Sequence, residues 1–149
     1  MSLKKITTAT ILASIIAAPL SAQALQITSF ETLTKKQIEQ SYFFDWNRNS
    51  AFRGSLFKAF KNSGVVMPAW LRKGGGGAAP AKVITSGATN FVLLDTCKPH
   101  DCGDNMIYVL FDPATKTTAA VAKLDKKVTW VGKPNNTVKQ ILSNATGLR

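Results

Sequence analysis

From residue 82 onward the chain is a succession of short apolar-rich segments whose links are too short to cross over a sheet. That constrains the fold more than any other feature. Residues 82–85 read as a strand, Ser86-Gly87-Ala88 as a tight turn, and residues 90–96 as a second strand. Strand character resumes over 106–111 and stops at Asp112-Pro113. Thr117–Leu124 and Lys127–Val131 then read as a hairpin around Asp125-Lys126. Parallel neighbours need a connection of about a dozen residues, commonly a helix, so these links specify an antiparallel meander.

Helical patterns flank that sheet. Thr34 and Gln37 have the spacing of a capping box. Asn49 or Ser50 is placed to cap a helix running to about Phe60, with Phe52, Leu56, Ala59 and Phe60 on one face and Arg53, Lys58 and Lys61 elsewhere. Asn62-Ser63-Gly64 supplies the stop. At the other end Asn135 or Asn136 caps a last helix, with Val138, Ile141, Leu142 and Ala145 as its apolar face and Gly147 as its end. Helices, then sheet, then helix make an α+β domain. The four glycines at 74–77 lack the Gly-Lys-Ser/Thr ending of a nucleotide-phosphate loop and read as a flexible loop leading into the sheet.

The first residues read as an address. Lys4 and Lys5 precede an apolar run, Pro19 breaks it, and Ala22-Gln23-Ala24 has the small-x-small pattern of a signal-peptidase site. The apolar run is shorter than the roughly 20 residues a membrane span needs. The expectation is a signal peptide over 1–24 and one domain over 25–149, exported to the periplasm. An oxidising compartment favours a bond between the two cysteines. Net charge is +11, and loss of Lys4 and Lys5 lowers it to +9. Such a charge attracts anionic surfaces. Nucleic acid fits an exported chain poorly, and the cations are scattered rather than clustered with aromatics.

Cys97 and Cys102 stand between the segments at 90–96 and 106–111. A disulfide between them would close a small ring at a hairpin tip. So short a ring removes little chain entropy, so its effect is local shape rather than global stability. Inside it lie Pro99, with its fixed φ, and the chain's one histidine, His100, beside Asp101. A rigid protruding loop loses little entropy on docking and makes a good plug. The residues alone leave other readings open. The bridge can be purely structural. A zinc site on Cys97, His100 and Cys102 lacks a fourth ligand and the usual spacing. A Cys–His nucleophile needs a free thiolate, which the compartment opposes. No triad or carboxylate pair stands out, so the chain reads as a non-enzyme without cofactor or metal.

The string Cys97-Lys98-Pro99-His100-Asp101-Cys102-Gly103 resembles the signature loop of the inhibitor of vertebrate lysozyme (Ivy) family. Pro68-Ala69-Trp70 followed by Lys73-Gly74-Gly75 is similar to that family's approach to its sheet. The stretch from Leu124-Asp125 to Thr129-Trp130 looks like its late hairpin. The likeness runs from about residue 66 to 130 and is looser in the end helices.

The resemblance implies an α+β fold with a central antiparallel sheet of about five strands, flanking helices and a protruding inhibitory loop. It also implies a periplasmic protein that protects Gram-negative peptidoglycan by occluding the cleft of c-type lysozyme, and homodimers in some members. Carried over residue by residue, His100 is the plug that meets the target's two catalytic carboxyls. Lys98, Pro99 and Asp101 shape and flank it, and Cys97 and Cys102 hold the ring. Lysozymes of this type are cationic, so a basic inhibitor is repelled at long range, with Asp101 and Asp104 expected to soften the contact. That charge keeps two alternatives in view: a regulator of the cell's own lytic transglycosylases, and a cationic wall-binding module whose loop is only structural.

Overall fold

The computed structural model describes residue 27, residues 29–30 and residues 32–149. The export signal expected over 1–24 lies outside the described residues. The strand segments fold as β1 (Lys82–Ser86), β2 (Thr89–Cys97), β3 (Met106–Asp112), β4 (Thr117–Leu124) and β5 (Lys127–Val131). They form one five-stranded sheet in chain order, every neighbouring pair antiparallel. The expected meander is therefore the fold. Asp125 and Lys126 both take positive φ, 48° and 70°, the backbone of a two-residue hairpin turn whose twist matches its strands.

Five helical segments pack on this sheet: α1 (Lys35–Glu39), α2 (Phe43–Asn47), α3 (Ser50–Ser63), α4 (Ala69–Arg72) and α5 (Asn136–Thr146). Thr34 and Gln37 form the capping box at α1. The Asn49 side chain accepts from the amides of Ala51 and Phe52 and so caps α3, which ends at Gly64 with φ 69°. Asn135 caps α5, and Gly147 with φ 72° ends it. Both stops use the left-handed conformation that glycine adopts freely.

Strand alternation divides the core into two layers. Val92, Leu94, Ile107, Val109, Phe111, Ala120, Ala122 and Val131 face α2, α3 and α4, together with Phe52, Leu56, Ala59 and Phe60. Leu93, Leu110 and Val121 face Leu142 of α5, with Val138 and Ile141 packed beside it. Ala145, expected on that apolar face, is exposed.

The larger layer centres on aromatic rings. Phe30 stacks on Trp46 at 5.3 Å, and the Phe30, Trp46 and Phe52 rings each meet Phe111 edge-on, at 4.8, 5.9 and 5.2 Å. The buried Trp46 indole donates to Ser41 Oγ at 2.7 Å. Phe52 is wholly buried, so Phe52→Ala should destabilise the fold by about 3–5 kcal/mol in a urea titration; a loss below about 1 kcal/mol would mean that the aromatic layer does not hold α3 to the sheet.

Candidate functional site

The link from β2 to β3 is closed by the Cys97–Cys102 disulfide, with a Cα–Cα distance of 4.9 Å. Cys97 ends β2 and is buried, whereas Cys102 is exposed. The ring therefore stands on the sheet and projects from it. Both sulfurs are bonded to each other, which leaves no thiolate for zinc or for a nucleophilic pair with His100.

Backbone bonds tighten the loop. The Lys98 amide donates to the Asn105 carbonyl, the Asp101 amide to the Lys98 carbonyl, and the Asn105 amide to the Asp101 carbonyl, each at 3.0 Å. Side chains then tie it to the neighbouring hairpin. Asn105, 5% exposed, donates from its amide nitrogen to Asp101 Oδ2 at 2.9 Å and to Asp125 Oδ1 at 3.3 Å. Its side-chain oxygen accepts the Asp125 amide at 3.2 Å. Lys123 Nζ donates to the Gly103 carbonyl at 2.6 Å, and the Lys126 amide to the Asp104 carbonyl at 3.2 Å.

Gly76 and Gly77 support the ring from below. The Gly76 amide donates to Thr96 Oγ1 at 3.1 Å, and the Gly77 carbonyl accepts the Cys97 amide at 3.0 Å. The four-glycine run thus lies beside the second half of β2, in the lane that β1 fills beside the first half. Close approach explains the residue type. A Cβ at Gly76 would stand 2.5 Å from the Cys97 carbonyl oxygen and 2.9 Å from the Pro99 ring, and one at Gly77 would stand 3.3 Å from Cys97 Sγ. The run is the expected loop leading into the sheet, and its Gly76 and Gly77 fit closely against the ring.

Of the four residues singled out in the loop, Pro99 and His100 are exposed, and Lys98 and Asp101 half-buried. His100 has φ 64°, an uncommon conformation for a residue with a side chain. The surrounding bonds hold the turn in that costly state and point the imidazole's Cα–Cβ bond in one direction. Asp101 is committed inward. Lys98 Nζ reaches its Oδ2 at 2.9 Å, and this bond, with the one from Asn105, holds the Asp101 carboxyl below the usual carboxylate range; the same bond pushes the Lys98 ammonium up. Asp104 pairs with Lys126 at 3.5 Å. The two aspartates expected to soften a cationic contact are thus matched by lysines.

The separate stretches that carry the sequence likeness meet here. Val66, Pro68 and Trp70 line a crevice with Lys98, Asn105, Leu124 and Asp125. Sequence reasoning missed Asn105, Gly76, Gly77 and Lys123. The glycine run was visible but ambiguous, and a single asparagine before a strand carries no distinguishing pattern.

The model of the family described as inhibitor of vertebrate lysozyme (Ivy) matches residues 59–146, from within α3 to the end of α5. The chain belongs to the Ivy family. Among its relatives, an uncharacterised protein of Yersinia pestis is 36% identical over 90 residues, covering 52% of this chain and 58% of that protein. The inhibitor of vertebrate lysozyme of Escherichia coli K12 is 32% identical over 96 residues, covering 58% and 60%. That of Pseudomonas aeruginosa is 25% identical over 118 residues, covering 70% and 76%. The match thus spans about three fifths of the first two relatives. Within the Ivy match lie the whole sheet, the loop and its glycine support.

Two outcomes test this architecture. Gly76→Ala should cost about 1–3 kcal/mol in urea, as overpacking does, and speed amide exchange at Lys98 and Asp101. Unchanged stability and exchange would mean that the run does not brace the ring. Because the Asp101 pKa is lowered by folding, its contribution is present above the ordinary value of 3.8 and fades as pH falls through the lower folded value. The Asn105 side-chain amide resonances should therefore shift with a midpoint below 3.8 in an NMR titration, and a midpoint at or above 3.8 contradicts the pairing.

Proposed function

We propose that this Ivy-family chain is a protein inhibitor of c-type lysozyme, acting in the periplasm as residues 25–149 after removal of 1–24. The loop Lys98, Pro99, His100 and Asp101 enters the target's cleft, and His100 is the plug. One observation carries the reading: an exposed histidine at the tip of a disulfide-closed loop that is braced from the sheet, the glycine run and the β4–β5 turn. The names of the Escherichia and Pseudomonas relatives support the same target class.

The chemistry is matched. A retaining glycosidase sets two carboxyls about 5 Å apart, one a neutral acid and one an anion. An imidazole between them can hydrogen-bond to both through its two nitrogens. In a cleft closed to water such charge-assisted bonds are stronger than neutral ones. Lys98 and Asp101 neutralise each other and keep the ring's shape, so the docking surface loses little freedom on binding.

The test is titration of the mature, oxidised protein against a c-type lysozyme in a wall-clearing assay, with a lytic transglycosylase as a second arm. Wild type should abolish clearing stoichiometrically. His100→Ala should weaken inhibition by about 2 kcal/mol, or about 30-fold, the cost of truncating one partner of a buried charged contact. An unchanged inhibition constant would remove His100 from the mechanism. Inhibition of the transglycosylase alone would transfer the function to the cell's own enzymes.

A further inference from the structure

Between Asp45 and Asp95 the chain has seven cations, Arg48, Arg53, Lys58, Lys61, Arg72, Lys73 and Lys82, and no acid. Three of them converge in space. Arg48, Arg53 and Lys73 line a groove of about 380 Å³ with Phe44, Asn47 and the backbone of Gly74, Gly75 and Gly76. It lies where the end of α2, the first turn of α3 and the glycine run meet. All three cations are exposed. Among the described residues the ion pairs are Lys35–Glu39, Lys98–Asp101 and Lys126–Asp104, so none of the three is matched by an acid. Asp45, the nearest acid in sequence, is buried and accepts the Tyr42 amide.

The groove's walls differ in chemistry. Two guanidinium forks and an ammonium suit carboxylates, which an arginine can hold with two parallel bonds. Phe44 is 42% exposed and lies flat on Tyr42, with ring centroids 5.3 Å apart and planes 6° apart, giving the rim a flat apolar face. A ligand that carries carboxylates beside the apolar face of a ring satisfies both. Lipid would need a place for acyl chains, and this groove offers a rim of one phenyl ring.

We propose that this groove binds the bacterial wall polymer, whose glycan rings bear peptide stems with free carboxylates, the polymer class that a muramidase cuts. The choice of polymer rests on the proposed function, whereas the groove's preference for a carboxylated ring does not. Its lining includes Gly76 but none of Lys98, Pro99, His100 or Asp101. Gly76 also supports the ring of the loop. A chain held on the wall through this groove is held by residues other than the plug, and the inhibitor is concentrated on the surface its target attacks.

The experiment is co-sedimentation of the full chain with purified peptidoglycan sacculi, with no muramidase present. Wild type should pellet and be released by salt. The variant Arg48→Ala/Arg53→Ala/Lys73→Ala should lose at least tenfold in bound fraction while its lysozyme inhibition stays at the wild-type level. The variant Lys58→Ala/Lys61→Ala/Lys116→Ala removes the same charge outside the groove and should pellet as wild type does. His100→Ala should inhibit about 30-fold more weakly and still pellet, which separates failure of the plug from failure of the groove. Sacculi whose carboxyls are amidated should not retain the protein. Equal losses in the two triple variants would overturn the proposal in favour of diffuse attraction. Retention on amidated sacculi, or stronger binding to single-stranded DNA of matched charge, would overturn the choice of ligand.

Discussion

The ladder between β2 and β3, from Val92 opposite Phe111 to Cys97 opposite Met106, governs both the core and the loop. Because strand side chains alternate, this register sends Leu94, Val109 and Phe111 into the aromatic layer and Leu93 and Leu110 toward α5. A slip of one residue would exchange the layers and push Phe111 out of its contacts with Phe30, Trp46 and Phe52. It would also move Thr96 and Cys97 off the glycine support. The hydrophobic driving force that fixes the sheet therefore fixes where the loop emerges. The disulfide works on a span already set by pairing, which is why so small a ring serves to shape rather than to stabilise.

Sequence periodicity made the sheet legible because each strand is bounded by turn chemistry and the central strands β2, β3 and β4 bury a run of apolar residues. Thr117–Leu124 and Lys127–Val131 fall where the pattern puts them, and the other strands gain a residue at one or both ends. At the β1–β2 turn the gain comes from Ser86 pairing with Thr89, a contact that a polar residue makes as well as an apolar one, and at the far end of β2 from Cys97 pairing with Met106. The segments Phe43–Asn47 and Ala69–Arg72 were not legible as helices, since a single turn presents too little period to be seen. Their identity is tertiary. Phe43 and Trp46 are wholly buried, and the Tyr42 amide is held by Asp45.

The candidate site divides in the same way. Its closed ring with an exposed histidine was legible, because one histidine between two cysteines and beside a proline is a rare local string. Its mechanics were not. A glycine run looks the same whether it is loose or pressed against a carbonyl, and only the distance from Gly76 to Cys97 and Pro99 separates the two. Asn105 looks like any turn residue until Asp101 and Asp125 are seen on either side of its amide. Residues that position others through space leave little trace in a one-dimensional pattern.

Charge placement reconciles a basic chain with the cationic target proposed for it better than composition suggests. Near the loop, Lys98 faces Asp101, Lys126 faces Asp104, and Asp125 sits against Asn105, so the exposed tip presents one imidazole over nearly balanced charge. The cations of the 45–95 stretch, which no ion pair among the described residues matches, lie in or at the ends of α2, α3 and α4 and in β1. Long-range repulsion from a cationic partner acts on the sum of these charges, whereas the bound state is decided by the few groups that lose water. The first is screened within about 8 Å at physiological salt, and the second is not. Under the proposed function such a protein associates slowly and still holds tightly, with its net charge acting on the encounter and its braced loop on the lifetime of the complex.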